Sequence, residues 1–213
     1  MTASASSLAE VAQPNFSARG RLLAAAENIL IQQGFHALTT RAICGNANTN
    51  LAQISYYFGG LEGLLDALLA EELQAVSHAF DAATLTECGQ DIASVMGSLV
   101  KALSAPAPYT SHGFAALAVE EIYHHVSGDM QQRAATALNA AHEPYRKVLQ
   151  HLLPEMDQLT VRIRLTAVIA MVMSMLPGNT GSRLLALSTA DQCVCDDRLF
   201  DEMLTLCILA WQP

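Results

Sequence analysis

Apolar residues along this chain recur at intervals of three and four, the repeat that gives a helix one buried face. Leu22, Leu23, Ala26, Ile29 and Leu30 predict a helix from about Ser17 to Gln33, with Gly34 as its stop. Leu64, Leu65, Leu68, Leu69, Leu73, Val76 and Phe80 continue the repeat and predict a long helix over about 61–84. Asp91 opens a helix ending near Ser104, before Pro106 and Pro108, and Ser111 caps another over 112–126, closed by Gly128. The next runs from 129 to 153, with Pro144 as a kink and Pro154 as the stop. Residues 157–176 make a further helix, a loop from Pro177 lasts to about Cys195, and a last helix spans 196–211. No stretch alternates long enough to argue a strand, and no internal repeat is visible, so the expected class is all-α. Residues 1–16, rich in Ser and Ala, are expected to form a disordered arm.

The densest information lies in 39–64. Thr39 and Thr40 can each cap a short helix containing Ala42 and Ile43. The run from Gly45 to Asn50 accepts turn dihedrals and stops it, and Asn50 can cap a second short helix from Leu51 to about Tyr57, ended by Gly59-Gly60. Two short helices about a tight turn, behind a longer helix, form a helix-turn-helix. The expected organisation is an N-terminal three-helix helix-turn-helix domain, 17–62, and a larger C-terminal helical domain, 63–213.

Thr39-Thr40-Arg41-x-Ile43, Ala47, Ile54-x-Tyr56-Tyr57-Phe58 and Glu62-x-Leu64-Leu65 resemble the N-terminal DNA-binding domain of the TetR/AcrR family of transcriptional repressors. The preceding Leu22-Leu23-x-Ala25-Ala26-x-x-Ile29-Leu30 and Gly34-Phe35 fit the same pattern. The likeness covers about a quarter of the chain, residues 17 to 70.

A helix in the major groove reads base edges with side chains near its N-terminus. By position these are Thr49, Asn50, Leu51, Ala52, Gln53 and Ser55; Gln53 can bond an adenine edge, and Leu51 or Ala52 can touch a thymine methyl. The resemblance implies that Tyr56, Tyr57 and Thr40 grip phosphates, and Arg41 is the nearest cation. The chain departs from the pattern at Leu51 and Leu61, where the family usually has lysine, at Asn48, where it has glycine, and at Ser55, where it has an aromatic. With both lysines absent, the expected salt slope corresponds to roughly 3 to 5 phosphate contacts per protomer.

Charge sharpens this. The net charge is −9, which excludes a general nucleic-acid sponge without excluding specific binding. Residues 1–60 hold three arginines against two glutamates, net +1, and the remaining 153 residues hold 8 basic and 18 acidic groups, net −10. Hydrophobic residues are 52% and charged residues 15%, a lean surface that predicts apolar area covered by a partner or enclosing a ligand.

For the C-terminal domain the resemblance implies a homodimer whose small-molecule effector changes the separation of the two reading motifs. The last two helices are the expected dimer surface, with Leu165, Val168, Ile169 and Val172 on one and Phe200, Met203, Leu204 and Trp211 on the other. A pocket for a hydrophobic or amphipathic ligand is expected to use Phe114, His124, His125, Tyr145, Met171 and Met175.

Other chemistry finds little footing. The five cysteines are odd in number and scattered, and no secretory signal or bilayer-length apolar run is seen, so reduced thiols in the cytoplasm are expected. Cys193-Val194-Cys195 departs from structural-zinc spacing, which leaves a thiol- or metal-responsive regulator as an alternative. No Gly-rich phosphate loop, His-Glu-x-x-His or nucleophile elbow is present, so no enzyme, metal or cofactor is expected. A dimeric helical adaptor without DNA binding is the remaining alternative.

Overall fold

Ser17 starts the fold: its hydroxyl oxygen accepts the Gly20 N–H at 3.2 Å and caps α1, Ala18–Gln33. The structure, a computed structural model, describes residues 17–82, 91–110, 113–126, 128–176 and 196–212, without the side chains of 81, 82 and 196–200. After α1 come a 3-10 turn, Phe35–Ala37, then α2, Thr40–Asn46, α3, Leu51–Phe58, and α4, Leu61–Ala82. The rest adds α5, Ile92–Leu103; α6, Ala115–His125; α7, Gly128–Leu152; α8, Gln158–Met175; and α9, Asp196–Leu209. The all-α expectation holds among the described residues, whose one extended pairing is an isolated bridge between Pro106 and Phe114.

The helix starts follow cap chemistry. Asp91 accepts the Ser94 N–H at 2.7 Å ahead of α5, and Asp157 accepts the N–H groups of Leu159 and Thr160, each at 3.0 Å, ahead of α8. The helix expected from residue 112 begins instead at Ala115. Ala107 N–H donates to Gly113 O (2.9 Å) and Ala115 N–H to Ala105 O (3.1 Å), so this backbone is committed to the bridge before the helix can start. Residues 111 and 112, with the Ser111 cap, lie outside the described residues. So do the N-terminal arm, the end of the helix expected over 61–84, and the loop of 177–195 with Cys193 and Cys195.

α4 is the axle. Leu64, Leu65 and Leu68 close the core of α1–α3 with Leu22, Leu23, Ile29, Ile43 and Ile54, while Leu69, Val76 and Phe80 enter the body. There Val95, Met96 and Leu99 of α5, Val119 and Ile122 of α6, and Tyr145 and Leu149 of α7 continue one buried cluster. Trp211 closes the far end, its indole N–H donating to Met96 Sδ at 3.1 Å. Burying each such side chain contributes about 1.5–3 kcal/mol.

Two expectations for the last helices need correction. Leu165, Val168, Val172, Met203 and Trp211, expected at a dimer surface, are buried in the chain's own core, and Ile169 and Leu204 are half-buried. The side chain of Phe200 is outside the described residues. The apolar residues of α8 are spread around its whole circumference, so its repeat could not say which face turns inward. Among the described residues of these two helices the large apolar side chains left exposed are Leu159 and Ile163 on α8 and Leu206 and Leu209 on α9. By length and composition alone α8 also suffices to cross a membrane, contrary to expectation. Here it packs on α5, α7 and α9 and carries Arg162 and Arg164.

Candidate nucleic-acid interface

Thr39 caps α2, its hydroxyl oxygen accepting the Ala42 N–H at 3.1 Å. The turn is built by Ala47 as C-cap, Asn48 at φ 50°, and a Thr49 N–H donated to Cys44 O at 2.9 Å. Asn tolerates the left-handed region, so the family's glycine can be replaced there with little strain. Asn50 Oδ1 then accepts the Gln53 N–H at 3.2 Å and starts α3. Gly59, at φ 74°, ends α3, and Gly63 lets α4 follow closely: a Cβ at 63 would lie 1.9 Å from Phe58 O. Gly63 was missed in the sequence, where it reads only as a weak helix residue.

α3 buries Ile54 alone and tucks Phe58 half-in; Leu51, Ala52, Ser55, Tyr56 and Tyr57 face outward. Tyr56 is 83% exposed, and its ring meets Tyr57 edge-on with centroids 4.9 Å apart. Arg41 is exposed on α2, and Thr40 half-buried at its first position. The surface therefore brings together Thr40, Arg41, Asn50, Leu51, Ala52, Ser55, Tyr56 and Tyr57. Three expected readers are less available. Gln53 Oε1 and Thr49 Oγ1 are covered with no hydrogen-bond partner among the described residues, so Gln53 must turn before its amide oxygen can meet a base. Asn50 has its oxygen engaged in the cap. Leu61 packs half-buried against the core.

Arg19 is committed to the fold. Its guanidinium bonds Glu71 at 3.0 Å and lies over the Phe58 ring, 5.5 Å from the centroid. Glu71 accepts the Tyr109 hydroxyl at 2.6 Å, and both oxygens of Glu27 accept the Tyr109 N–H at 3.0 Å. Burial first, then the Glu71 bond and charge, hold the Tyr109 phenol above its usual range. On the neighbouring edge Glu121 Oε1 accepts the Phe35 N–H at 3.0 Å, and His125 stacks on Phe35 at 4.6 Å. The helix-turn-helix is thus tied to the body through the 105–110 segment and α6.

The sequence model described as "Bacterial regulatory proteins, tetR family" matches residues 22–68. The N-terminal domain is a TetR-family domain. Over 67 residues the chain is 33% identical to the "Probable HTH-type transcriptional regulator YttP" of Bacillus subtilis (strain 168), spanning 32% of each protein. The likeness of fold extends further than the likeness of sequence. The TetR family transcriptional regulator PfmR of Thermus thermophilus aligns over 91% of this chain and all of its own, at TM-score 0.62 and 12% identity. AmtR of Mycobacterium smegmatis aligns over 95% of this chain and 90% of its own, at TM-score 0.60 and 16% identity. A TetR-family helix-turn-helix on a helical body is therefore the architecture of the described chain.

The body's expected ligand residues do not converge. Tyr145 is buried, its hydroxyl 2.8 Å from Ser98 Oγ. His125 belongs to the Phe35 contact, and exposed His124 lies 3.8 Å from Glu120. Phe114 precedes α6 as its N-cap residue, and Met171 and Met175 are half-buried on α8. Adjacent apolar and aromatic residues on packed helices fill the core, so their types alone did not mark a cavity. A groove of about 800 Å³ opens elsewhere, between α7 and α8.

Proposed function

We propose that this chain is a cytoplasmic, homodimeric DNA-binding transcriptional regulator that represses from an operator and is released by a small molecule. The outward face of α3 is the observation that carries this reading: Leu51, Ala52, Ser55 and Tyr56 are exposed on a TetR-family domain whose apolar side is already filled. A tyrosine 83% exposed, whose only ring contact among the described residues is the likewise outward Tyr57, adds little to the core, which favours a nucleic-acid contact over an inert helical adaptor. Exposed apolar Leu159, Ile163, Leu206 and Leu209 sit on α8 and α9, which are held together by Arg164 bonds to the carbonyls of Ala210 and Gln212 (3.1 and 3.0 Å). A second copy of this chain, applying the same face, would cover them in a four-helix bundle. Two reading heads would then meet half-sites about 34 Å or more apart, and a ligand favouring a wider setting by a few kcal/mol would release them.

The thiol alternative gains nothing from Cys207, whose thiol is fully buried and pushed up to about 11 by that burial. Footprinting on the chain's own upstream region tests the proposal. A protected, two-fold symmetric site is expected; absence of protection there and in a selection from random sequence would contradict it.

A further inference from the structure

Cations are unevenly placed in this acidic chain. Four of its 11 lysines and arginines, Arg146, Lys147, Arg162 and Arg164, fall within residues 146–164. Three of them line the groove between the second half of α7 and the start of α8, together with His151, Gln150 and a single carboxylate, Glu143. Arg164 turns away to the carbonyls of Ala210 and Gln212, just past α9.

Glu143 reports the field inside. The Arg146 bond first, then the charges of Arg146, Lys147 and Arg162, hold its carboxyl below the usual range. Arg146 is closed onto Glu143 and also donates to Asn139 O at 3.1 Å. Lys147 and Arg162 are exposed and form no salt bridge among the described residues. One carboxylate thus faces three cations from two helices. Val161 is the one apolar residue in the lining, so the groove does not suit a hydrophobic ligand. Its volume of about 800 Å³ is that of a small-molecule site.

We propose that this groove binds a small organic anion bearing at least two negative groups, carboxylates or phosphates, seated on Lys147 and Arg162. A guanidinium matches either group with paired N–H donors, and the ammonium adds a point charge. The site lies on the body and does not depend on the chain reading DNA.

Isothermal titration of the full chain with citrate, inorganic pyrophosphate and neutral triethyl citrate tests it. Citrate, pyrophosphate or both bind saturably, and triethyl citrate does not. Citrate alone assigns the site to carboxylates, and pyrophosphate alone to phosphates. Lys147→Gln with Arg162→Gln, at exposed positions that leave the melting temperature unchanged, weakens binding about tenfold or more, while Lys147→Arg with Arg162→Lys retains it. Failure of the wild type to bind either anion, or undiminished binding by the glutamine pair, would overturn the proposal.

Discussion

Glu27 on α1 and Glu72 on α4 are both wholly buried, and their carboxyls interact where the reading domain meets the axle helix. Among the described residues no N–H or O–H donor meets either oxygen of Glu72, whereas Glu27 holds the Tyr109 N–H. Burial first, then the Glu27 charge, push Glu72 up to about 10, so Glu72 is the carboxyl that keeps its proton at neutral pH.

A pH dependence follows. Below the ordinary carboxylate value of 4.5 both folded and unfolded chains hold the proton; from there to about 10 only the folded chain does. Through this one proton stability therefore falls as pH rises across that window, by at most about 1.4 kcal/mol per unit, and Glu27, also raised by burial, acts in the same sense. Glu72→Gln mimics the protonated acid, and its stability relative to wild type should rise by about 2–3 kcal/mol between about pH 5.5 and about pH 8. His142, pushed down to about 4 by burial and then by Arg146, has the opposite sense between that value and 6.5, but it is common to both proteins. Urea unfolding of both proteins at the two pH values checks this; an unchanged stability difference would refute a proton held on Glu72.

The reading domain was legible because its signals are local. Caps at Thr39 and Asn50, the turn, and the apolar spacing of Leu22, Ile29, Ile43 and Ile54 involve neighbours in sequence. The facing of α8 was not legible, since its apolar residues are distributed on every side, and Leu165 and Val168 turned inward. Nor was the Glu27–Glu72 pair, whose members lie far apart in sequence and look like ordinary surface acids on amphipathic helices. The groove at Arg146 and Arg162 requires the α7–α8 corner before its cations can be seen to converge.

Gly63 sets how closely α4 follows α3. With a Cβ falling 1.9 Å from the Phe58 carbonyl oxygen, Gly63→Ala should destabilise the chain by about 1–3 kcal/mol. Thermal melting measures it; a variant as stable as wild type would show that the α3–α4 junction relaxes freely.

Leu159 and Ile163, both at least 60% exposed, should be covered in a dimer. Leu159→Glu with Ile163→Glu should yield a folded monomer by light scattering, because each buried, unpaired carboxylate opposes association by several kcal/mol. A double variant still dimeric would move the interface elsewhere.

Thr40→Ala and Tyr57→Phe should each weaken operator binding by about 0.5–1.5 kcal/mol without loss of stability, as expected for a lost hydrogen bond to phosphate. Because Arg19 is bound to Glu71 and Phe58, it should not add to the salt slope, which stays at roughly 3 to 5 phosphate contacts per protomer. Fluorescence anisotropy across a salt series checks both; a slope implying ten or more would show basic contacts elsewhere.

The outward face of α3 as the DNA reader is tested most directly by Ala52→Glu, which sets a carboxylate on that face at an exposed position. In a gel-shift titration with upstream DNA and excess unrelated competitor, the wild type should give a specific complex and the folded variant none. No wild-type complex, or an equal one from the variant, would contradict the account.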